Sequence, residues 1–238
     1  MTHVLVLTAV ELEARNLARE LEFPRLSRFP FPVFERSRGA VRVRVAPVGL
    51  RAGLIAERWS SLSADLSSPL VISAGTCGAL APELGVGDLV LPESVLGPAG
   101  ERLNVTPGAH AAAVKLAGGA RKGLLLTSTD AVGTPEAKAQ RWLSTGASAV
   151  DMESASILAW ASGQGCPSLV VRAVSDSARQ HVPFELIALV TPEGKLRTVR
   201  AMALALTNPR TIPHALILRR GTGRALKAVA RLIAALVE

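Results

Sequence analysis

The sequence predicts an α/β domain of three layers, with helices packed on both faces of a central sheet. Three observations predict it. Short runs rich in Val, Leu and Ile alternate with helix-spaced segments along most of the chain. Apolar residues fill 49% of the 238 positions, enough for a large core. Aromatics are scarce, with no Tyr, three Trp and five Phe, so that core must pack on aliphatic side chains. The length fits one domain, read as 1–238 with an extended helical tail from about 183.

Taken in order, residues 3–8 form a buried strand, and 10–21 carry Leu12, Leu17 and Leu21 at helical spacing. The turn between them puts Glu11 and Glu13 at a strand's carboxyl end, where open α/β sheets bind ligands. The proline-rich 23–33 is a loop, and 41–48 alternates Val with Arg or Ala like a half-exposed strand. A turn and helix follow over 49–62, with Gly49 and Gly53 permitting close backbone approach. Residues 70–73 are a short buried strand, and Gly75-Thr76-Cys77-Gly78 is the loop after it. Strands at 88–95 and 123–129 and helices at 109–117 and 135–143 come next, with a polar loop over 97–108 and Pro135 suited to a first helical turn. Residues 147–151 lead into a helix at Glu153 that Gly163 and Gly165 close. Leu169, Val170 and Val171 form a strand that delivers Asp176 into a polar loop. The tail comprises 183–190, a TPEGK turn, 196–206, 208–218 and a terminal helix over 223–237. That helix sets Leu226, Val229, Leu232, Ile233 and Leu236 against Arg224, Lys227 and Arg231, the pattern of a helix packed on a core rather than laid on a membrane.

Composition excludes several classes. Two cysteines, Cys77 and Cys166, are too few for a disulfide scaffold. No signal peptide is read in the opening run, and no apolar stretch reaches the ~20 residues of a membrane span, so the expected location is cytoplasmic. A net charge of +8 is the kind that draws phosphate, nucleic acid or an anionic membrane. The arginines are dispersed, without the interleaved aromatics of a single-strand binder, and no nucleic-acid partner is expected. His3, His110, His181 and His214 are scattered and the cysteines lie apart, so no metal site is expected.

Two segments gather acids: VDMESASILAWA at 150–161 and AVSDSA at 173–178. Asp151 and Asp176 each have a plain reading as helix caps, and Glu13 one as a first-turn helix acid. Glu153 is harder to dismiss, because Ala155, Ile157, Leu158 and Ala159 look buried and an acid is rarely buried without a partner. The glycines at 75 and 78 let backbone N–H groups face an oxyanion or a ribose hydroxyl, and Thr76 adds a hydroxyl. Their spacing matches neither a dinucleotide fingerprint nor a P-loop.

These segments resemble the purine nucleoside phosphorylase and nucleosidase family. Four motifs stand in the family's order: TAVELEA at 8–14, SAGTCGALAPELGVGDLVLPESV at 73–95, V-x-M-E at 150–153 and S-D at 175–176. The resemblance implies a central mixed sheet and cleavage of the N-ribosidic bond of a purine nucleoside derivative, with adenine the first base considered. Such cleavage passes through a cationic, oxocarbenium-like sugar while negative charge flows into the departing base. It needs an acid at the base, a ribose clamp and a positioned nucleophile. By resemblance Asp176 donates a proton to the imidazole edge of the purine, and a desolvated loop is expected to keep that proton on it. Glu153 accepts hydrogen bonds from the ribose hydroxyls over an apolar floor of Met152, and Glu13 activates water. Gly75, Thr76 and Arg51 fall on the nucleophile or phosphate side, with Arg15 a further anion holder. Val132 and Ser175 join Asp176 around the base. The small-molecule nucleoside is the expected partner. A homo-oligomer is implied by analogy alone, and no cofactor is implied, phosphate being the one candidate co-substrate.

Departures from the family pattern shape the substrate. In the hexameric phosphorylases a phosphate-binding arginine precedes the glycine loop, whereas Ser73 stands here, as an uncharged residue does in the small nucleosidases. That favours hydrolysis over phosphorolysis. Val132 occupies a place where an aromatic often stacks on the base. The tail, with its TPEGK turn and NPRTIPHALIL, is similar to the hopanoid-associated phosphorylase subgroup, linked to removing adenine from adenosylhopane. This implies an apolar opening near Phe184, Leu186 and Ile187 and a basic terminal helix leaning on a membrane. The alternatives are a 5′-methylthioadenosine/S-adenosylhomocysteine or futalosine nucleosidase, and a nucleoside-binding protein without turnover.

Overall fold

The computed structural model of the chain describes residues 2–189, 191, 193–195, 197, 207–208 and 211–238. The first strand, β1 (Thr2–Thr8), sets the layering: Val4 and Val6 turn to one face of the sheet, Leu5 and Leu7 to the other. Against Val4 and Val6 lie α1 (Glu11–Glu20), α3 (Pro107–Ala117) and α7 (Thr211–Leu236), through Leu17, Ala113, Leu226, Val229 and Ile233. Against Leu5 and Leu7 lie α2 (Ile55–Ser63) and α5 (Ser154–Gly163), through Ile55, Trp59, Leu62, Ile157 and Ala161. Each fully buried Leu, Ile or Val contributes roughly 1.5–3 kcal/mol, so both faces of the sheet are firmly covered. The three layers expected from the sequence are the observed ones.

The sheet is mixed and has ten strands. Side by side run β2 (Phe34–Arg38), β3 (Val41–Pro47), β1, β4 (Leu70–Ala79), β9 (Ala149–Asp151), β8 (Leu124–Thr127), β6 (Ser94–Leu96) and β7 (Arg102–Asn104). A further strand, β10 (Ser168–Asp176), pairs with β4 and also with the two-residue β5 (Leu89–Val90). β3, β1, β4 and β10 are parallel, as are β6, β8 and β9. The two groups meet in antiparallel register where Gly78 faces Val150 and Ala79 faces Ala149. The carboxyl ends of β1, β4 and β10 and the starts of α1 and α5 thereby surround one cavity.

Several boundaries differ from the sequence reading, each for a tertiary reason. The glycines at 75 and 78 continue β4 rather than forming a loop, because β10 pairs with it as far as Gly78. β10 itself runs to Asp176, with all nine residues buried, so Asp176 ends a strand instead of sitting in a polar loop. The stretch 88–95 is two strands, divided at Pro92, which has no N–H for a ladder. Within 97–108, Arg102–Asn104 folds back on β6 as β7. β3 was expected to be half exposed, yet Arg44 is fully buried, paired with Glu35 at 2.5 Å and with Asp65 at 2.8 Å. Leu12 is exposed, while Leu17 and Leu21 are buried. Finally, α7 begins at Thr211 rather than 223 and spans 26 residues, about 39 Å. Its Ala225, Leu226, Val229, Ala230, Leu232 and Ile233 pack into the core.

Two further helices lie among the described residues. Helix α4 (Pro135–Thr145) starts from a cap in which the Thr134 hydroxyl accepts from the Ala137 N–H and ends at Gly146 in the left-handed region. Helix α6 (Phe184–Ile187) is a single turn. The TPEGK turn is closed by Gly194 N–H donating to Thr191 O, and Gly194 O accepts from Glu11 at the start of α1. The expected stretch 196–206 lies, apart from 197, outside the described residues, as does the side chain of Ile187. No helix among the described residues is long and apolar enough to cross a membrane.

Candidate active site

The cavity at the strand ends has a volume of about 270 Å³, close to the lower end for small-molecule sites. Glu13, Thr76, Met152, Glu153, Ser175 and Asp176 all line it, together with Val132. A wider surface hollow of about 690 Å³, lined by Glu83, Asp88, Arg121 and Lys122, holds none of the acids singled out from the sequence. Size alone therefore does not locate the chemistry; the convergence of acids from α1, the α5 start and β10 does.

Glu13 reaches the cavity from the first turn of α1. Its Oε1 accepts from the Thr76 N–H at 3.0 Å and from the Thr76 hydroxyl at 3.1 Å, and its Oε2 from the Ala9 N–H at 3.2 Å. Gly75 makes this approach feasible. A Cβ there would lie 2.7 Å from Arg172 Nη1 and 2.9 Å from Glu13 Oε1. The glycine strand thus presents its donors to a carboxylate of the same chain. Arg15 pairs with Glu11 along the helix surface at 3.5 Å, half exposed, and does not line the cavity.

The turn from β9 into α5 holds two acids with different tasks. Asp151 serves the fold: its Oδ2 accepts from the Ser154 N–H at 3.1 Å, and its Oδ1 accepts from the Thr127 hydroxyl at 2.6 Å. Glu153 faces the cavity, and its Oε1 accepts from the Arg51 N–H at 3.2 Å. Burial pushes the Glu153 carboxyl up to about 7, with Arg172 opposing and the Asp151 and Glu13 carboxylates reinforcing the rise. Arg51 contributes its backbone to this corner. Its guanidinium turns to the Thr129 carbonyl at 2.7 Å and is not among the groups lining the cavity.

Beneath both acids lies Arg172, a residue sequence reasoning passed over. It is fully buried on β10, 2.8 Å from Asp151 Oδ2 and 3.8 Å from Glu153 Oε2. It also donates to Ser73 Oγ at 3.0 Å and to Ser154 Oγ at 3.2 Å. Ser73, noted for lacking an arginine side chain, is therefore an acceptor for an arginine from the neighbouring strand. The available signal was an arginine inside the apolar run LVVRAV.

Asp176 shares its corner with a second unanticipated residue. Lys138, fully buried on α4, sets its Nζ 2.5 Å from Asp176 Oδ2, and the Ser175 hydroxyl donates to Oδ1 at 2.6 Å. Desolvation of a lone carboxyl was the expectation; the carboxylate is instead paired with an ammonium. Nothing in the local sequence PEAKAQ distinguishes Lys138 from a solvated helix lysine. Two close approaches enclose this end. Val182 N–H donates to Gly133 O at 2.8 Å, joining the segment that carries Val132 to the one after Asp176. Gly221 of α7 lies against Ser175, so that Leu218 and Thr222 form a wall of the cavity.

Comparison with known proteins places this arrangement. The model of the Phosphorylase superfamily matches residues 3–206. A futalosine hydrolase of Streptomyces coelicolor is 32% identical over 233 residues, covering 83% of this chain and 96% of that protein. Among solved structures, 5′-methylthioadenosine/S-adenosylhomocysteine nucleosidase from Helicobacter pylori superposes with a TM-score of 0.74 at 16% identity, covering 100% of this chain and 98% of the other. Futalosine hydrolase of the same organism gives 0.74 at 16% identity, covering 99% and 97%. The latter two likenesses speak for the fold. With the family match running through the glycine strand and through Glu13, Glu153 and Asp176, the chain belongs to the Phosphorylase superfamily, as an enzyme of its nucleosidase and nucleoside phosphorylase class.

Proposed function

We propose that this protein is a nucleosidase that uses water to cleave the N-ribosidic bond of a purine nucleoside derivative. The observation that carries this reading is the Glu13 carboxylate seated on the Thr76 N–H and hydroxyl. A phosphate nucleophile needs free donors and an uncompensated cation. Here the donors end on a carboxylate, and the nearest buried cation, Arg172, is already paired with Asp151. A dianion placed beside Glu13 would be repelled. A water there donates to Glu13, which takes its proton as the oxygen attacks the anomeric carbon. Ionised Glu153 accepts from the ribose hydroxyls and favours the positive charge that develops on the sugar. Asp176 faces the departing base, with Val132 and Met152 as apolar surface.

Similarity to a futalosine hydrolase over nearly the whole length of that protein supports futalosine as the first substrate to test, with 5′-methylthioadenosine second. Adenosylhopane ranks below them, since neither Phe184 nor Leu186 is among the described residues that line the cavity. The test is base release from each of the three compounds with and without inorganic phosphate. Free base and a free ribose derivative, at a rate indifferent to phosphate, is the expected result. A phosphate-dependent rate with a ribose 1-phosphate product would refute hydrolysis, and cleavage of adenosylhopane alone would overturn the substrate order.

A further inference from the structure

The hydrolytic reading leaves a buried charge beside the cavity without a task. The Lys138 ammonium is sealed from solvent and makes three hydrogen bonds: to Asp176 Oδ2 at 2.5 Å, to Ser177 O at 2.9 Å and to Gln180 O at 3.0 Å. Two of its acceptors are backbone carbonyls from the segment following β10, and the third is the carboxylate that faces the base. Both Asp176 oxygens already accept hydrogen bonds, Oδ2 from Lys138 and Oδ1 from the Ser175 hydroxyl, whereas a purine leaves readily only if its ring nitrogen gains a proton. The proton has to come from somewhere behind Asp176, and Lys138 is the group in contact there.

We propose that Lys138 is the proton source for the leaving base, acting through Asp176. The proposal rests on the nucleosidase reading and assigns the step that reading leaves open. As the C–N bond breaks, its electron pair passes to the base; Asp176 takes a proton at Oδ2 from the Lys138 ammonium and passes that proton to the imidazole-edge nitrogen. The base departs neutral, Asp176 ends as it began, and Lys138 becomes a neutral amine. The water proton goes separately to Glu13. The acceptor set around Nζ fits both states. An ammonium has three N–H groups for three acceptors; while the proton is in transit on Asp176, the amine keeps two N–H groups for Ser177 O and Gln180 O and its lone pair accepts from the Asp176 O–H. A lysine serving only to anchor the segment would need the two carbonyls but not the carboxylate. Lys138 is thus a positioning and proton-supplying residue rather than one that touches substrate.

The experiment compares two leaving groups on the full-length protein. A purine nucleoside needs protonation to leave; p-nitrophenyl β-ribofuranoside releases a stable phenolate without it. Lys138→Met is expected to lower kcat on the purine nucleoside by ~100-fold or more, the usual scale for losing acid catalysis, while the aryl riboside rate stays within a few-fold of the parent. Lys138→Gln, which retains donors for the carbonyls but has no proton to transfer, is expected to behave like Lys138→Met, and it keeps the test open should the methionine variant fail to fold. Equal losses on both substrates, or an unchanged purine rate, would overturn the proposal. If the parent protein releases no base from any purine nucleoside, the nucleosidase reading itself falls, a result distinct from either outcome with the variants.

Discussion

Glu153→Gln is the sharpest test of the site's electrostatics, because the perturbation removes one charge and almost no volume. Moving a carboxyl from its ordinary 4.5 to about 7 disfavours its charged form in the fold by roughly 3 kcal/mol. The sign follows from linkage. The folded protein binds the Glu153 proton more tightly than the unfolded chain, so its contribution to stability is fully present below about pH 4.5 and is lost as pH rises through about 7. Glutamine is neutral throughout and escapes that loss. The variant is therefore expected to match the parent near pH 4.5 and to exceed it increasingly up to pH 8, by at most about 3 kcal/mol, or several degrees in Tm for a chain of this size. Arg172 tolerates the change because Asp151, at 2.8 Å, remains its closer partner. Thermal unfolding of both proteins at half-unit pH steps measures the difference. A gap that is flat with pH, or that widens in favour of the parent, would show that Glu153 is not a desolvated acid. Activity should run the other way: kcat/KM of the parent rises through about pH 7 as Glu153 ionises to receive the ribose hydroxyls, and the variant loses that limb and its discrimination against 2′-deoxy substrates.

Three further outcomes follow from the same geometry. Gly75→Ala would place a methyl 2.9 Å from Glu13 Oε1 and 2.7 Å from Arg172 Nη1, displacing both; steady-state assays should show ~100-fold lower kcat, with ~1–3 kcal/mol less stability in urea melts. Asp176→Asn should cut turnover by ~100-fold or more and, by leaving the Lys138 ammonium buried without a counter-charge, lower stability by about 3 kcal/mol; adding Lys138→Met should restore the stability but not the turnover. The two glycines in α7 should respond in opposite directions to alanine. At Gly223 a methyl meets open space, and helix propensity favours the variant by up to about 1 kcal/mol; at Gly221 it would lie 2.1 Å from the Ser175 carbonyl, so the helix must shift and both stability and base release should fall. Calorimetry on the pair decides it, since matching gains at both positions would mean that α7 does not press on Ser175.

That last contrast shows where sequence reading stops. The layers were legible because the cause is local: the 2-residue alternation of Val4, Leu5, Val6 and Leu7 and the helical spacing of Leu226, Val229 and Ile233 each fix a face without reference to the rest of the chain. The start of α7 was not. Gly221 and Gly223 weaken a helix on propensity alone, and only the contact with Ser175 explains why glycine stands at 221 inside one. The glycines at 75 and 78 misled for the same reason, since they read as a loop until β10 supplies a partner strand through Gly78. Glycine marks a close approach at 75, 78 and 221, but the sequence does not say what approaches.

The acids and their counter-charges divide along the same line. Glu13, Glu153 and Asp176 stood out because each lies in a motif that is contiguous in the chain. Their cations do not: Arg172 is 21 residues from Asp151 and 19 from Glu153, and Lys138 is 38 residues from Asp176. Without those partners the sequence offers three carboxyls, with burial expected to keep a proton on Asp176. With them it becomes a cavity of paired charges, in which Arg172 lies closest to Asp151, a structural post, and leaves Glu153, a full ångström farther away, as the acid that burial can still push up. The difference between 2.8 and 3.8 Å around one guanidinium thus separates the residue that fixes the turn from the one available to a sugar. Exchanging the roles of these two neighbours would require moving Arg172, which Ser73 and Ser154 hold in place from two other elements.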